Sequence, residues 1–413
     1  MYFDELDLQD EILDALDAMH FTEMTPVQEQ TIPIIMSGRD VISCAQTGTG
    51  KTAAYILPLL NNLMTDTHSS EHINAIIMAP TRELAQQIDQ QMEGFSYFAP
   101  FSSVPVYGGN DGGNWDIQKK GLTNGADIVI ATPGRLLSHM KVYDIDFSHV
   151  KYFILDEADR MLDMGFYDDI MKIVNRLPKS RQTIMFSATM PPKIRTLAKQ
   201  IMHNTAEVQI AVSRPPESIH QMAYICYEPQ KIKIIEHIFQ TEQLSKVILF
   251  VGKKNHVHEL TRTLRKLGLK ADQMHSDLDQ AAREHVMHEF RSGRIDILVA
   301  TDIVSRGIDI DNIPLIINYN VPRDAEDYVH RIGRTARADN SGKAITLVAP
   351  DEQHYFAKIE HFLQKDIEKL PLPEGMEPGP EYNPVIPEKK KTYRKNNRKR
   401  RFNRHQTKPG KQQ

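Results

Sequence analysis

Two tandem α/β domains followed by a basic tail are what this 413-residue sequence predicts, and three observations predict them. Short apolar runs alternate with longer amphipathic stretches, the pattern of buried parallel strands joined by helices. Ser213-Arg214-Pro215-Pro216-Glu217 interrupts that alternation near its middle, because proline and the residue before it resist continuous helix. Beyond residue 388 the chain gives up apolar residues for Lys and Arg.

In the first half, the runs at 40–43, 75–78, 128–131, 152–155 and 183–186 are rich in Ile, Val, Phe and Tyr. Such residues fit a pleated, buried surface, and the runs are too short for buried helices. The second half repeats the pattern at 246–251, 295–299, 315–318 and 344–348. The stretch 203–218 suits an interdomain linker. The expected division is a first domain at 1–208, a linker at 209–218, a second domain at 219–372 and a tail at 373–413, basic from 389.

With 40% hydrophobic residues, the chain has apolar content for two proper cores. Met1-Tyr2-Phe3-Asp4-Glu5 is acidic where a signal peptide is basic and then apolar, and no run of ~18 apolar residues occurs; a soluble cytoplasmic protein is expected. Cys44 and Cys226 lack partner spacing and metal-binding neighbours, so they read as small buried residues. Charge is unevenly spread. Residues 388–413 hold 12 of the 50 Lys and Arg but one of the 54 acids, which leaves 38 bases against 53 acids elsewhere. A tail of net charge +11 cannot form a core but neutralises phosphates, so a disordered polyanion-binding segment is expected. Its Tyr393 and Phe402 add rings that stack on bases.

Two segments carry the chemistry. Ala45-Gln46-Thr47-Gly48-Thr49-Gly50-Lys51-Thr52 reads as a phosphate cradle: turn glycines expose backbone N–H groups, Lys51 brings a charge to the outer phosphates, and Thr52 offers Mg²⁺ a hydroxyl. Asp156-Glu157-Ala158-Asp159 supplies acids at the end of an apolar run. Together they predict binding of a nucleoside triphosphate with a metal, and its hydrolysis. Other runs end likewise in polar or turn-forming residues: Pro80-Thr81-Arg82-Glu83, Thr132-Pro133-Gly134-Arg135, Ser187-Ala188-Thr189 and Thr301-Asp302. Carboxyl ends of parallel strands form the binding edge of an open sheet, so these segments are expected to converge.

In this order and spacing, from about Phe3 to Ala349, the sequence resembles the DEAD-box ATP-dependent RNA helicases, most of all their bacterial RhlE-type members. The resemblance implies tandem RecA-like domains, ATP and Mg²⁺ as cofactors, and RNA as partner. It implies that Phe3, Phe21 and Thr25-Pro26-Val27-Gln28 receive adenine, with Gln28 selecting ATP, and that Asp309 lies near the ribose. Asp156 would hold Mg²⁺, partly through water, and Glu157 would orient or deprotonate the attacking water. Arg334 and Arg337 would reach the γ-phosphate from the second domain as arginine fingers, and Arg331 would tie that segment to the acids of the first. Asp159, Ser187, Thr189 and His330 would couple the nucleotide site to RNA. RNA backbone would lie along Arg82, Gly108, Gly109, Thr132 and Arg135 of the first domain and Gln280, Arg283 and Thr301 of the second, with Arg306 at RNA or the joint.

Departures from the family pattern are His20 and Ser276 in place of glycine, Ser305 in place of alanine, and Ala336 in place of glycine. The segment 108–118 is longer than expected and holds the only tryptophan, Trp115, for which packing is favoured over base stacking. The expected mechanism is closure of two domains by ATP and RNA, bending of the RNA, local strand loss, and reopening on hydrolysis. An ATP-gated RNA clamp and a DNA-directed translocase of the wider superfamily are the alternatives. Partner classes left open are ribosomal and RNA-decay proteins; a monomer is expected.

Overall fold

The structure is a computed structural model and describes residues 1–45, 48–65, 69, 71–108, 112–210, 218–242, 244–275, 277–302, 313–335 and 342–384. After α1 (Asp10–Ala18) and α2 (Pro26–Met36), the first sheet comprises β1 (Val41–Cys44), β2 (Ala75–Met78), β3 (Ser103–Val106), β4 (Ile128–Ala131), β5 (Tyr152–Leu155), β6 (Gln182–Ser187) and β7 (Ala206–Gln209). Between these strands run α3 (Lys51–Thr65), α4 (Arg82–Phe95), α5 (Gly112–Asn124), α6 (Pro133–Val142), α7 (Ala158–Asp163), α8 (Tyr167–Val174) and α9 (Pro192–Ile201). The strand order is β3-β4-β2-β5-β6-β1-β7, parallel throughout.

The second sheet comprises β8 (Ile219–Ile225), β9 (Val247–Phe250), β10 (Ala271–Met274), β11 (Ile297–Ala300), β12 (Leu315–Asn318), β13 (Gly342–Val348) and β14 (Glu368–Leu370). Its helices are α10 (Glu228–Thr241), α11 (Lys254–Lys266), α12 (Gln280–Arg291), α13 (Ala325–Ile332) and α14 (Gln353–Leu363). Its order, β10-β11-β9-β12-β13-β8-β14, is that of the first sheet with every strand number raised by seven, so the two units share one parallel topology. Both have the open, helix-flanked sheet that the sequence predicts.

Each run predicted as a strand is one, because its residues are buried on both faces of a sheet. Successive side chains alternate: Ile77, Ile130, Ile154 and Ile184 enter one apolar cluster, and Ile76, Val129, Phe153 and Met185 enter the other. The strands not predicted are β3, β7, β10 and β14, which are the four sheet edges, and β8 beside an edge. They carry polar residues or Pro105, which edges tolerate because one face of their hydrogen-bonding ladder is open.

Two boundaries differ from expectation. Residues 206–209 form β7 against β1, so the last strand of the first unit runs one residue past the expected domain end at 208 and occupies part of the 203–218 stretch read as suiting a linker. Residues 373–384, assigned to the tail, lie on the second unit: the Tyr382 hydroxyl donates to the Glu360 carboxylate, the Gln353 amide donates to the Glu381 carbonyl at 2.8 Å, and Met376 packs on the core. An apolar residue every few positions, Leu372, Met376 and Tyr382, explains why this segment docks where the Lys- and Arg-rich remainder has nothing to bury. Residues 385–413 lie outside the described residues, as does most of the expected linker, 211–217. Both cysteines are buried and unpaired, and among the described residues no helix is long and apolar enough to cross a membrane.

Candidate functional site

β1 ends at Cys44 and α3 begins at Lys51, so Gly48, Thr49 and Gly50 lead into the positive end of a helix. Gly48 and Gly50 sit at φ +80° and +85°, a region that L side chains rarely enter. A Cβ on Gly50 would stand 2.5 Å from Gln28 Nε2, a second reason for glycine there. The Gln28 side chain is buried; its Oε1 accepts from the Thr25 N–H at 2.7 Å and its Nε2 donates to the Gly50 carbonyl at 3.1 Å. It therefore braces the loop while one donor and one acceptor valence of the amide remain. Lys51 Nζ is buried and has no hydrogen-bond partner among the described residues. A buried ammonium without an acceptor is costly, so the cradle is built for an anion that supplies one. Gln46 and Thr47 lie outside the described residues; Thr49 and Thr52 follow the chain into α3.

The acids stand beside this lysine. Asp156 is buried at the end of β5; its Oδ2 accepts from the Tyr55 hydroxyl at 3.0 Å and its Oδ1 from the Glu157 N–H at 2.8 Å. Tyr55 also meets the Thr52 hydroxyl, so one buried phenol ties the two residues expected at Mg²⁺. Burial pushes the Asp156 carboxyl above the ordinary aspartate value, against the pull of Lys51. Burial also acts upward on Glu157, but Arg160 at 3.1 Å together with Lys51 holds that carboxyl below the ordinary glutamate value. Glu157 adopts φ +49°, ψ +51°, a left-handed conformation that costs a non-glycine residue about 1–2 kcal/mol. Strain of this kind persists where the surroundings impose it, and it aims the carboxylate out of the strand direction.

Asp159 Oδ2 accepts both the N–H and the hydroxyl of Thr189, each at 2.9 Å, and the Ser187 hydroxyl donates to the Thr189 carbonyl at 2.7 Å. A 470 Å³ cleft joins this group to the second unit: Glu157, Asp159, Arg160 and Thr189 line one side, and Asp324, Glu326, Asp327 and His330 the other. His330 acts electrostatically on Glu157. Arg331 is a correction. Instead of reaching the acids of the first unit, it is buried in its own, bidentate to Asp302 at 2.6 and 2.8 Å and bonded to Asn318 and the Asn320 carbonyl. The alternation of a helix explains the exchange, since adjacent residues on α13 point apart and His330 takes the facing position. Arg334 is half-buried in the turn after α13, where its carbonyl accepts from the Ile313 N–H at 3.2 Å. Arg306, Asp309 and Arg337, and the departures Ser276, Ser305 and Ala336, lie outside the described residues.

A second cleft of 480 Å³ gathers Arg82, Gly108, Thr132 and Arg135 from the first unit with Arg283 from the second. Arg82 crosses between the units to Glu284 at 3.2 Å. Gly109 and the Gln280 side chain lie outside the described residues. Thr301 does not line this cleft; it is buried after β11, with its N–H on the Met274 carbonyl. Trp115 is packed rather than free: it stacks on buried His139 at 3.7 Å and 20°, with the Arg135 guanidinium 4.5 Å above its ring.

Phe3 is a further correction. It is 2% exposed within the first core and has no face for a base, whereas Phe21 is half-buried, edge-on to Phe95 at 5.4 Å. Tyr55, Arg160 and Gln118 carry no motif signal, because their importance lies in contacts across 3 to 101 positions that no local pattern encodes, whereas the packing expected for Trp115 is found.

The DEAD/DEAH box helicase family model matches residues 25–197, and the helicase conserved C-terminal domain matches 230–339. The ATP-dependent RNA helicase CshA of Listeria monocytogenes is 40% identical over 372 residues, 90% of this chain and 70% of that protein. The DEAD-box ATP-dependent RNA helicase CshA of Streptococcus pneumoniae is 42% identical over 90% of this chain and 70% of its own. Among solved structures, S. cerevisiae Dbp5 bound to RNA and ADP BeF3 superposes with a TM-score of 0.78 at 30% identity, covering 90% of this chain and 96% of that one. With both units matched in order and the phosphate cradle, acid pair and two-sided clefts in place, the chain belongs to the DEAD-box ATP-dependent RNA helicases and is an RNA-dependent ATPase of that family.

Proposed function

We propose that two jaws, residues 1–208 and 219–372 with the docked 373–384, close on ATP at the first cleft and on an RNA backbone at the second. What carries the reading is the buried Lys51 ammonium, without a hydrogen-bond partner among the described residues, beside two buried acids, one of which, Glu157, lines a cleft whose far wall belongs to the other unit. In this scheme Lys51 and the amides of the cradle hold the β- and γ-phosphates. Gln28 uses its remaining valences on adenine, beside Phe21, and Asp309 meets the ribose. Hard oxygen donors at Asp156 and Thr52, tied by Tyr55, fit Mg²⁺, which keeps several waters and needs few protein ligands. The ion would supply charge neutralisation at the phosphates.

Glu157, held ionised by Arg160 and Lys51, orients the attacking water and accepts its proton. Arg334 and Arg337 stabilise charge on the transferring phosphoryl group once the jaws meet. The Asp159–Thr189 contact, with Ser187 behind it and His330 opposite, passes closure to the RNA cleft. There Arg82, Gly108, Gly109, Thr132, Arg135, Gln280 and Arg283 grip phosphates and 2′-hydroxyls without reading sequence. The duplex is bent until one strand leaves, and hydrolysis reopens the jaws. A cytoplasmic monomer of RhlE-type character, whose tail adds RNA affinity and whose partners include ribosomal or RNA-decay proteins, completes the proposal.

Glu157→Gln tests it. RNA-stimulated ATP turnover should fall about 10²- to 10⁴-fold while ATP and RNA still bind; undiminished turnover would remove Glu157 from the chemistry.

A further inference from the structure

We propose a divalent transition-metal site at the edge of the first sheet opposite the nucleotide cleft, formed by His72, Asp146 and His149. One ligand atom from each lies within 4.8 Å of the other two. His72 leads into β2, and Asp146 and His149 lead into β5; these strands are hydrogen-bonded neighbours, so the cluster bridges their amino ends. Asp156 and the RNA-cleft segment at Arg82 follow the carboxyl ends of the same two strands, which separates this site from both clefts.

His72 is half-buried and Asp146 and His149 are exposed, and the loops that carry them are held from behind. Ser69 Oγ lies 2.8 Å from His72 Nδ1, and the Asn74 amide donates to the Ser69 and His72 carbonyls, each at 2.8 Å. Gly125 lets this loop close in, since a Cβ there would lie 1.9 Å from the Glu71 carbonyl oxygen. On the other side, buried Phe147 and Val150 anchor the turn that carries Asp146 and His149. Ser148 donates to the Asp146 carboxylate through its N–H at 2.8 Å and through its hydroxyl, which fixes the carboxylate's orientation. The imidazoles are in contact at 3.9 Å between centroids and tilted by 38°, with a nitrogen of each near the carboxylate.

Two imidazoles and a carboxylate suit Zn²⁺, Co²⁺ or Ni²⁺, with open positions filled by water. A ligand of the hydrogen-bonded imidazole type is oriented as metal-binding histidines usually are. The bound ion would clip the α3–β2 connection to the α6–β5 connection. The full, untagged chain titrated with Co²⁺ and Zn²⁺ should show one ligand-field absorbing Co²⁺ site, and excess Zn²⁺ should raise its Tm. His72→Gln/His149→Gln should lose both effects while keeping RNA-stimulated ATPase. Equal binding by the double variant, or no binding below millimolar metal, would overturn the site.

A different set of contacts carries a second proposal: Trp115 and Gln118 are positioning residues for Arg135. Gln118 Oε1 accepts from Arg135 Nε at 2.8 Å and from His139 Nε2 at 3.0 Å, while its Nε2 donates to the Tyr107 carbonyl at 3.0 Å. Trp115 Nε1 donates to the Tyr143 hydroxyl at 2.9 Å, which fixes the ring between His139 and the Arg135 guanidinium. A guanidinium over an indole keeps its charge and spends fewer rotamers, so Arg135 is aimed into the RNA cleft before RNA arrives.

This proposal rests on the reading of Arg135 as an RNA contact, and the two are separable. Trp115→Ala and Gln118→Leu should raise the RNA concentration for half-maximal ATPase about tenfold, with kcat at saturating RNA retained, and Trp115→Phe should recover much of the loss. Arg135→Ala without effect on RNA half-saturation would defeat the reading of Arg135. Arg135→Ala with an effect, beside Trp115→Ala without one or with loss of kcat alone, would defeat the positioning role.

Discussion

Single residues record two compromises. His20 closes α1 at φ +59°, where the family pattern has glycine and where a Cβ is penalised; its side chain is exposed. His20→Gly should therefore stabilise the first unit by about 0.5–1 kcal/mol, read as a higher denaturant midpoint at unchanged slope. His139 shows the second compromise. Its Nε2 faces the Gln118 oxygen and its buried Nδ1 has no partner among the described residues, so a second proton would have no acceptor among them. Burial, and then Arg135, lower its pKa from 6.5 to about 4. A depressed histidine favours the fold while neutral: its contribution is complete above pH 6.5 and is lost as pH falls toward 4. The loss is bounded by roughly 3 kcal/mol and is reduced by water at the rim. Stability measured from pH 7 to 4 should fall less steeply in His139→Gln than in the parent chain; parallel curves would exclude His139 as the cause.

At the scale of elements, central strands and edge strands obey different rules. Ala75-Ile76-Ile77-Met78 and Tyr152-Phe153-Ile154-Leu155 are buried on both faces and announce themselves as apolar runs. Ala206-Glu207-Val208-Gln209 buries only Val208, and Glu368-Lys369-Leu370 buries nothing fully, so each is held mainly by its backbone ladder and by polar contacts such as Glu368 to His220, and leaves little trace in composition. The docked segment 373–384 is similar. Its hold comes from Met376, the Tyr382–Glu360 contact, and Gly379, where a Cβ would lie 2.4 Å from the Ile225 carbonyl oxygen. Ending the chain after Leu372 rather than Pro384 should lower the stability of the second unit by about 2–4 kcal/mol, seen in its thermal unfolding. Equal midpoints would show that the segment only lies along the surface.

On the scale of the whole molecule, one topology is used twice, and both copies contribute residues to each of the two clefts. Glu157, Asp159 and Thr189 of the first copy face Asp324, Glu326 and His330 of the second across one cleft, and Arg82, Thr132 and Arg135 share the other with Arg283, so each cleft draws its walls from both copies. The body is acidic and the segment 388–413 carries +11; on the proposed function, this tail concentrates RNA near the two units. Removing 388–413 should weaken RNA binding and flatten its dependence on salt while leaving basal ATPase intact. An unchanged slope of log affinity against log salt would assign the RNA contacts to the jaws alone.

By itself, the sequence determined the α/β class, the doubling of the domain, the phosphate cradle and the acids after β5, because each is a local pattern with a local cause: turn glycines, strand periodicity, polar residues at strand ends. The tertiary structure decided what pairing over long distances decides. It set Tyr55 against Asp156, placed Phe3 in the core, and turned Arg331 inward to Asp302 so that His330 faces the acids. It also laid Trp115 beneath Arg135. Which of two neighbouring polar residues faces a cleft is set by packing and by the burial cost of unpaired charge, and those are properties of the folded whole.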